Sequence, residues 1–143
     1  MDDNLSPGDD HPPSMRILLA DDNEWVRRGV KSILAPMTQC EICGEAKDGE
    51  EAIQLATQVL PDLILLDVSM PGLNGLDAAR LLREKVPSAK IVIMSQHDPA
   101  VLLARALDAG AQACVDKSRL STTLLPTIAN IMGPLENSSG SQS

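Results

Sequence analysis

Aromatic side chains are almost missing from this 143-residue chain, which has one Trp, no Phe and no Tyr. Without rings, the interior must be filled by Leu, Ile, Val, Ala and Met, which suits helices packed on a β-branched sheet. Positive charge is also scarce. Twelve Lys and Arg against twenty Asp and Glu leave a formal charge of −8. No basic surface remains to neutralise phosphates, so direct nucleic acid binding is not expected. No apolar run is long enough to cross a bilayer, and Met1 to Ser14 is acidic and polar, unlike a signal peptide. A cytoplasmic protein without membrane contact is the expectation. The glycine-rich phosphate loops G-x-x-x-x-G-K and G-x-G-x-x-G do not occur. Three cysteines include one C-x-x-C pair, Cys40 and Cys43. A structural zinc needs four ligands, and Cys114, His97 and His11 lack the spacing to complete one. The cysteines are therefore read as small buried hydrophobes.

The stretch that organises the chain is Asp62-Leu63-Ile64-Leu65-Leu66-Asp67, followed by Val68-Ser69-Met70-Pro71-Gly72. An unbroken apolar run bounded by turn residues reads as a strand covered on both faces, as inside a parallel sheet. Asp67 closes it. A carboxylate at the carboxyl end of such a strand points into the crevice where open α/β sheets bind ligands.

Around this strand the chain alternates. Residues 1–14 are too polar to offset ordering entropy and read as a disordered leader. Arg16 to Ala20 is a first strand ending at Asp21-Asp22, followed by a helix with Val26, Val30, Ile33 and Leu34 on one face. Asn23 is its expected N-cap and Pro36 marks its end. Glu41 to Ala46 is a second strand, in which Gly44 suggests close packing. Asp48-Gly49 then turns into a helix that stops before Pro61. Asn74-Gly75 precedes a third helix, with Leu76, Ala79, Leu82 and Val86 inward, ended by Pro87. Lys90 to Met94 is a fourth strand with Ser95 directly after it. Pro99 opens a fourth helix through Val101, Leu102, Ala106 and Leu107, closed by Gly110. Ala113 to Val115 is a short fifth strand running into Asp116-Lys117. A last helix is expected from about Thr122 to Met132, capped near Ser121 or Thr122 so that Pro126 falls early in it. Residues 134–143 read as a disordered tail.

Five strands alternating with five helices predict an α/β doubly wound sandwich: a five-stranded parallel sheet, helices on both faces, right-handed crossovers. Asp21, Asp22, Asp67, Ser95 and Lys117 then follow strand carboxyl ends that share one edge. Three carboxylates facing each other repel and call for a cation. Mg2+ takes oxygen ligands and is commonly held by one or two carboxylates plus phosphate. With no glycine loop, phosphate would be met by the metal, Lys117 and the Ser95 hydroxyl, which suits phosphoryl transfer onto Asp67 itself.

These residues resemble the receiver domain of bacterial two-component response regulators, over 15–133. The resemblance rests on Asp21-Asp22, on Asp67 with Met70-Pro71-Gly72 and Gly75, on Ser95, and on Lys117. Val26-Arg27-Arg28-Gly29 and Gly44-Glu45-Ala46 look most like receivers that carry helix-turn-helix outputs. The resemblance implies a flavodoxin-like (βα)5 fold and phosphorylation of Asp67 by a histidine kinase or phosphotransfer protein. It further implies Mg2+ held by Asp22, Asp67 and the backbone carbonyl of Ser69, with Asp21 reached through water. Lys117 would pair with phosphoryl oxygens and Ser95 would move inward to hydrogen-bond one of them. Val101, Leu102, Ala104 and Arg105 fall on the helix that borders a partner or homodimer surface in the family.

Four residues depart from the family pattern. Cys114 stands where a Tyr or Phe is frequent, long polar Gln96 where a small residue is usual, and Ser118 where Pro often follows the lysine. Asp116 places a carboxylate beside Lys117. A trans Lys117–Ser118 bond is expected. The primary reading is a receiver signalling through a protein surface. The alternatives are a receiver-fold binding module that works unphosphorylated, a receiver fragment of a longer DNA-binding regulator, and an aspartyl-phosphate hydrolase. The last would need a second acid where Ser69 stands.

Overall fold

A computed structural model describes residues 15–135, so the expected leader and most of the expected tail lie outside the described residues. The order is β1 (Met15–Ala20), α1 (Glu24–Leu34), β2 (Cys40–Ala46), α2 (Gly49–Val59), β3 (Leu63–Asp67) and α3 (Gly75–Lys85). β4 (Lys90–Ser95), α4 (Pro99–Asp108), β5 (Ala113–Asp116) and α5 (Leu120–Met132) follow. The strands form one parallel sheet in the order β2-β1-β3-β4-β5. This is the flavodoxin-like doubly wound arrangement read from the sequence. The strand order reverses beside β1 and β3, where such sheets open their ligand crevice.

The unalternating run of β3 has a simple cause. Leu63 and Leu65 pack with Val30, Leu34, Leu124 and Ile128 of α1 and α5, whereas Ile64 and Leu66 pack with the α2, α3 and α4 side. All five β3 residues are buried. Each fully buried Leu or Ile stabilises by about 1.5–3 kcal/mol. Four of them outweigh the several kcal/mol that burying the terminal carboxylate costs.

Local signals placed most helices as expected. Asn23 caps α1 by accepting from the Trp25 N–H at 2.8 Å, and Asn74 caps α3 through the Asp77 N–H at 3.0 Å. Pro99 stands at the start of α4, where its missing N–H costs nothing. Gly44 is tight against its neighbour: a Cβ there would lie 3.0 Å from Leu18 Cδ1, beside a register shift that leaves Cys43 as the extra residue of β2. All three cysteines are free thiols, and they are half-buried where full burial was expected; even so, partial burial pushes each thiol above its ordinary pKa. No peptide bond is cis among the described residues, so Lys117–Ser118 is trans.

The start of α5 differs from expectation. A 3-10 turn over Lys117–Arg119 runs straight into α5, which begins at Leu120, with Arg119 at the cap position and no side-chain cap. The hydroxyls of Thr122 and Thr123 instead donate to the Arg119 carbonyl from inside the helix. Pro126 is therefore an interior residue of α5, not an early one. The Ser/Thr cluster that resembled a cap is already helical, because Leu120, Leu124 and Ile128 are all buried on the core side.

Candidate functional site

The chemistry-bearing residues gather at the carboxyl ends of β1, β3, β4 and β5. Asp21 follows β1, Asp67 and Ser95 end β3 and β4, and Lys117 follows β5. The parallel register sets these ends side by side: Asp67 is level with Met94, and Ser95 with Asp116. Asp21 and Ser95 are fully buried and Asp67 is 1% exposed. Among the described residues they are the buried polar side chains of a core that is otherwise apolar. Asp22, by contrast, is exposed. Carboxylate oxygens of Asp21, Asp22 and Asp67 lie within 4.8 Å of one another.

Lys117 is the counter-charge. Its ammonium lies 2.9 Å from Asp21 Oδ2 and 3.3 Å from Asp67 Oδ2, with the side chain 8% exposed. Burial alone pulls a lysine down, but here the close contact with Asp21, and then Asp67, outweighs burial and raises its pKa. Asp67 shifts upward as well. Burial is the largest cause and the Asp21 charge adds to it, against the Ser69 N–H and Lys117. One cation therefore leaves this pair of carboxylates under-compensated.

Backbone groups fix the remaining oxygens. The Ser69 N–H donates to Asp67 Oδ1 at 3.0 Å, and the Asn23 N–H donates to Asp21 Oδ1 at 2.8 Å. The His97 N–H donates to Ser95 Oγ at 2.9 Å, while the His97 and Gln96 side chains are exposed. Gly75 is required by the turn that follows Asp67: a Cβ would strike the Asp67 carbonyl oxygen and lie 2.5 Å from Val68 Cα. Asp116 turns away from Lys117. Its Oδ1 accepts from the Ser118 N–H at 2.9 Å and hydroxyl at 2.7 Å, which lower its pKa.

The fit to a hard cation can be judged on one atom. Asp21 Oδ2 is buried, accepts no hydrogen bond within ideal geometry, and is matched only by the neighbouring ammonium charge. An oxygen with spare acceptor capacity, next to two further carboxylates of which that of Asp22 is exposed, suits a divalent ion that keeps part of its water shell.

Two residues at the rim, named in the sequence only as parts of the family-like motifs, take a place at the site. Arg27 Nη1 donates to the Asp21 carbonyl at 2.6 Å, and Arg27 Nε pairs with Glu45 Oε1 at 3.1 Å. A signal was present. Arg27, Val30 and Leu34 fall at i, i+3 and i+7, so this arginine lies on the buried stripe of α1.

Known proteins share these features. The pattern of the family described as "Response regulator receiver domain" matches residues 17–129. The chain is 40% identical to the nitrate/nitrite response regulator NarL of Escherichia coli K12 over 112 residues, 78% of this chain and 52% of that protein. It is 33% identical to the transcriptional regulatory protein DegU of Brevibacillus brevis over 114 residues, 80% of this chain and 48% of that protein. The chain thus spans about half the length of these curated relatives. Among solved structures, a LuxR-family two-component response regulator from Aurantimonas sp. SI85-9A1 superposes with a TM-score of 0.77 at 31% identity, covering 82% of this chain and 84% of that one. No described helix is long and apolar enough to cross a membrane. With its five-stranded 2-1-3-4-5 sheet and its acidic pocket facing Lys117, the chain belongs to the response regulator receiver domain family of two-component signalling.

Proposed function

We propose that this receiver accepts a phosphoryl group on Asp67 from a histidine kinase or phosphotransfer protein, with Mg2+, and passes the signal through a protein surface. The observation that carries the reading is the buried Asp67 carboxylate sharing one lysine with Asp21 and facing Asp22. A carboxylate raised by burial is a ready nucleophile once its negative field is offset.

Asp22, Asp67 and the Ser69 backbone carbonyl would hold the metal, with Asp21 reached through water. Bound Mg2+ supplies charge neutralisation for the carboxylates and the incoming phosphoryl oxygens. The chain's own residues do the rest. An Asp67 oxygen attacks phosphorus, a P–O bond forms, the donor's P–N bond breaks, and the leaving imidazole nitrogen takes a proton. Lys117 neutralises charge on the transferred group, and the Ser95 hydroxyl donates a hydrogen bond to one of its oxygens. Hydrolysis of unrelated phosphate esters is disfavoured, because Ser69 has no proton-donating carboxyl to offer a poor leaving group.

Incubation with acetyl phosphate and Mg2+ tests this. Acid-labile phosphate is expected on the wild-type chain and not on Asp67→Asn. Failure to label with Mg2+ present, or equal labelling of Asp67→Asn, overturns the reading.

A further inference from the structure

Two short motifs far apart in sequence, Val26-Arg27-Arg28-Gly29 and Gly44-Glu45-Ala46, meet beside the acidic pocket without touching the reacting carboxylate. Arg27 spans the gap. Its side chain is 13% exposed, its Nη1 donates to the Asp21 carbonyl at 2.6 Å, and its Nε holds Glu45 Oε1 at 3.1 Å. The other Glu45 oxygen takes Lys31 Nζ at 2.8 Å, so the carboxylate is tied on both sides. Lys31, then Arg27, hold the Glu45 carboxyl below its ordinary range, with burial opposing them.

The Asp21 carbonyl belongs to the peptide that joins Asp21 to Asp22. That unit is planar, so the direction of its oxygen also sets where the Asp22 Cα begins. On the other side, the Asp21 N–H donates to the Ala46 carbonyl at 3.0 Å. The residue is thus pinned from β2 through its N–H and from α1 through its C=O. Asp22 is exposed.

We propose that Arg27, anchored by Glu45, is a positioning residue for the cation pocket: it fixes the Asp21–Asp22 peptide and thereby the separation of their carboxylates. The inference rests on the reading that this pocket binds Mg2+. Partners of this kind, one step removed from the ligands, typically contribute 10–100-fold in metal affinity, by about the same logic as a buried carboxylate orienting a histidine ligand.

The test is calorimetric titration of the metal-free chain with Mg2+, below the melting temperature, alongside a thermal melt of each variant. Arg27→Ala is expected to weaken Mg2+ about ten-fold or more while the protein stays folded. Glu45→Gln keeps the guanidinium but loosens its anchor, and is expected to weaken Mg2+ by less. Arg27→Lys should recover part of the loss, since one ammonium can reach the carbonyl but cannot also grip Glu45 as a fork does. Lys31→Ala removes the other partner of Glu45 and should leave Mg2+ affinity near wild type. A merely structural role would lower the melting temperature and leave the affinity of the folded protein unmoved. Arg27→Ala binding Mg2+ within about two-fold of wild type overturns the proposal. If Arg27→Ala does not fold, an unchanged affinity in both Glu45→Gln and Arg27→Lys overturns it. A wild-type chain that binds no Mg2+ overturns the phosphoacceptor reading itself, and this inference with it.

Discussion

The acidic pocket and the α4–β5 face share one sheet, yet they are built on opposite terms. At the pocket, charge is buried: Asp21, Asp67 and Ser95 are at most 1% exposed, and the Asp21 and Asp67 carboxylates are each gripped by a neighbouring N–H. On α4 it is apolar surface that lies open, with Val101 76% exposed and Leu107 49% exposed. β5 is a half-buried four-residue strand, in contrast to the wholly buried β3. Between β5, α5 and the start of α4 lies a groove of about 350 Å3 lined by Cys114, Asp116, Arg119, Thr123 and Asp98. Buried charge thus sits where the ends of β1, β3 and β4 converge, and exposed apolar surface lies on the outer face of α4. The contrast predicts that pocket variants change stability and cation binding together, whereas α4 variants change neither.

The largest effect is expected from Lys117→Ala, which strands two buried carboxylates. Breaking a buried ion pair by removing one partner costs about 3–5 kcal/mol. A melting temperature lower by on the order of 10 °C should follow, measured by circular dichroism. Millimolar Mg2+ should recover part of it, because a bound cation favours the folded form by mass action. An unchanged melt would mean the carboxylates are not held as ions.

Gly75→Ala comes next. Its Cβ would meet backbone atoms of Asp67 and Val68, which cannot swing aside, so destabilisation of about 3 kcal/mol is expected from chemical denaturation. Gly72→Ala has open space around it and only the strain of φ 75° to bear, so its cost should be about 1 kcal/mol.

Asp67→Asn should act in the opposite direction on the metal-free protein. The folded pKa of Asp67 is raised, so the native state holds this proton to higher pH than the unfolded chain does. Stability from that group is full at acid pH and lost as pH rises from about 3.8 through the folded pKa. The neutral amide removes that loss. At neutral pH without metal the variant should therefore melt a few degrees higher, by about 4 °C per kcal/mol, with a flatter pH profile, and gain less from Mg2+. A lower melting temperature would contradict the burial-dominated reading of the pocket.

The smallest effect belongs to the other region. Val101→Ser and Leu107→Ser should change stability by no more than about 0.5 kcal/mol and leave Mg2+ affinity alone. A large loss of stability there would erase the contrast between the two regions.

Much of this is legible in the sequence. β3 announced itself because a strand covered on both faces cannot alternate, and Asn23 and Pro99 marked their helix starts through local chemistry that tertiary packing had no reason to override. The convergence of Asp21, Asp67, Ser95 and Lys117 followed from strand ends sharing an edge. The start of α5 differs from expectation because Ser121 and Thr122 look like caps, whereas burial of Leu120 extends the helix past them. The motif containing Arg27 is visible in the sequence, but its role is not, because it depends on Glu45 and on the Asp21 carbonyl, two contacts across β1 and β2 that no local pattern contains. The outward turn of Asp116 onto Ser118 is of the same kind, a rotamer choice invisible in the residue type.

The most direct test of the phosphoacceptor claim is to label the chain with acetyl phosphate and Mg2+, trap it with borohydride, and sequence the peptides. Borohydride reduces an acyl phosphate to the alcohol, so an aspartyl phosphate is recovered as homoserine. Homoserine at position 67, dependent on Mg2+, is the predicted result. Homoserine at another aspartate, or none at all under conditions where the fold is intact, would contradict it.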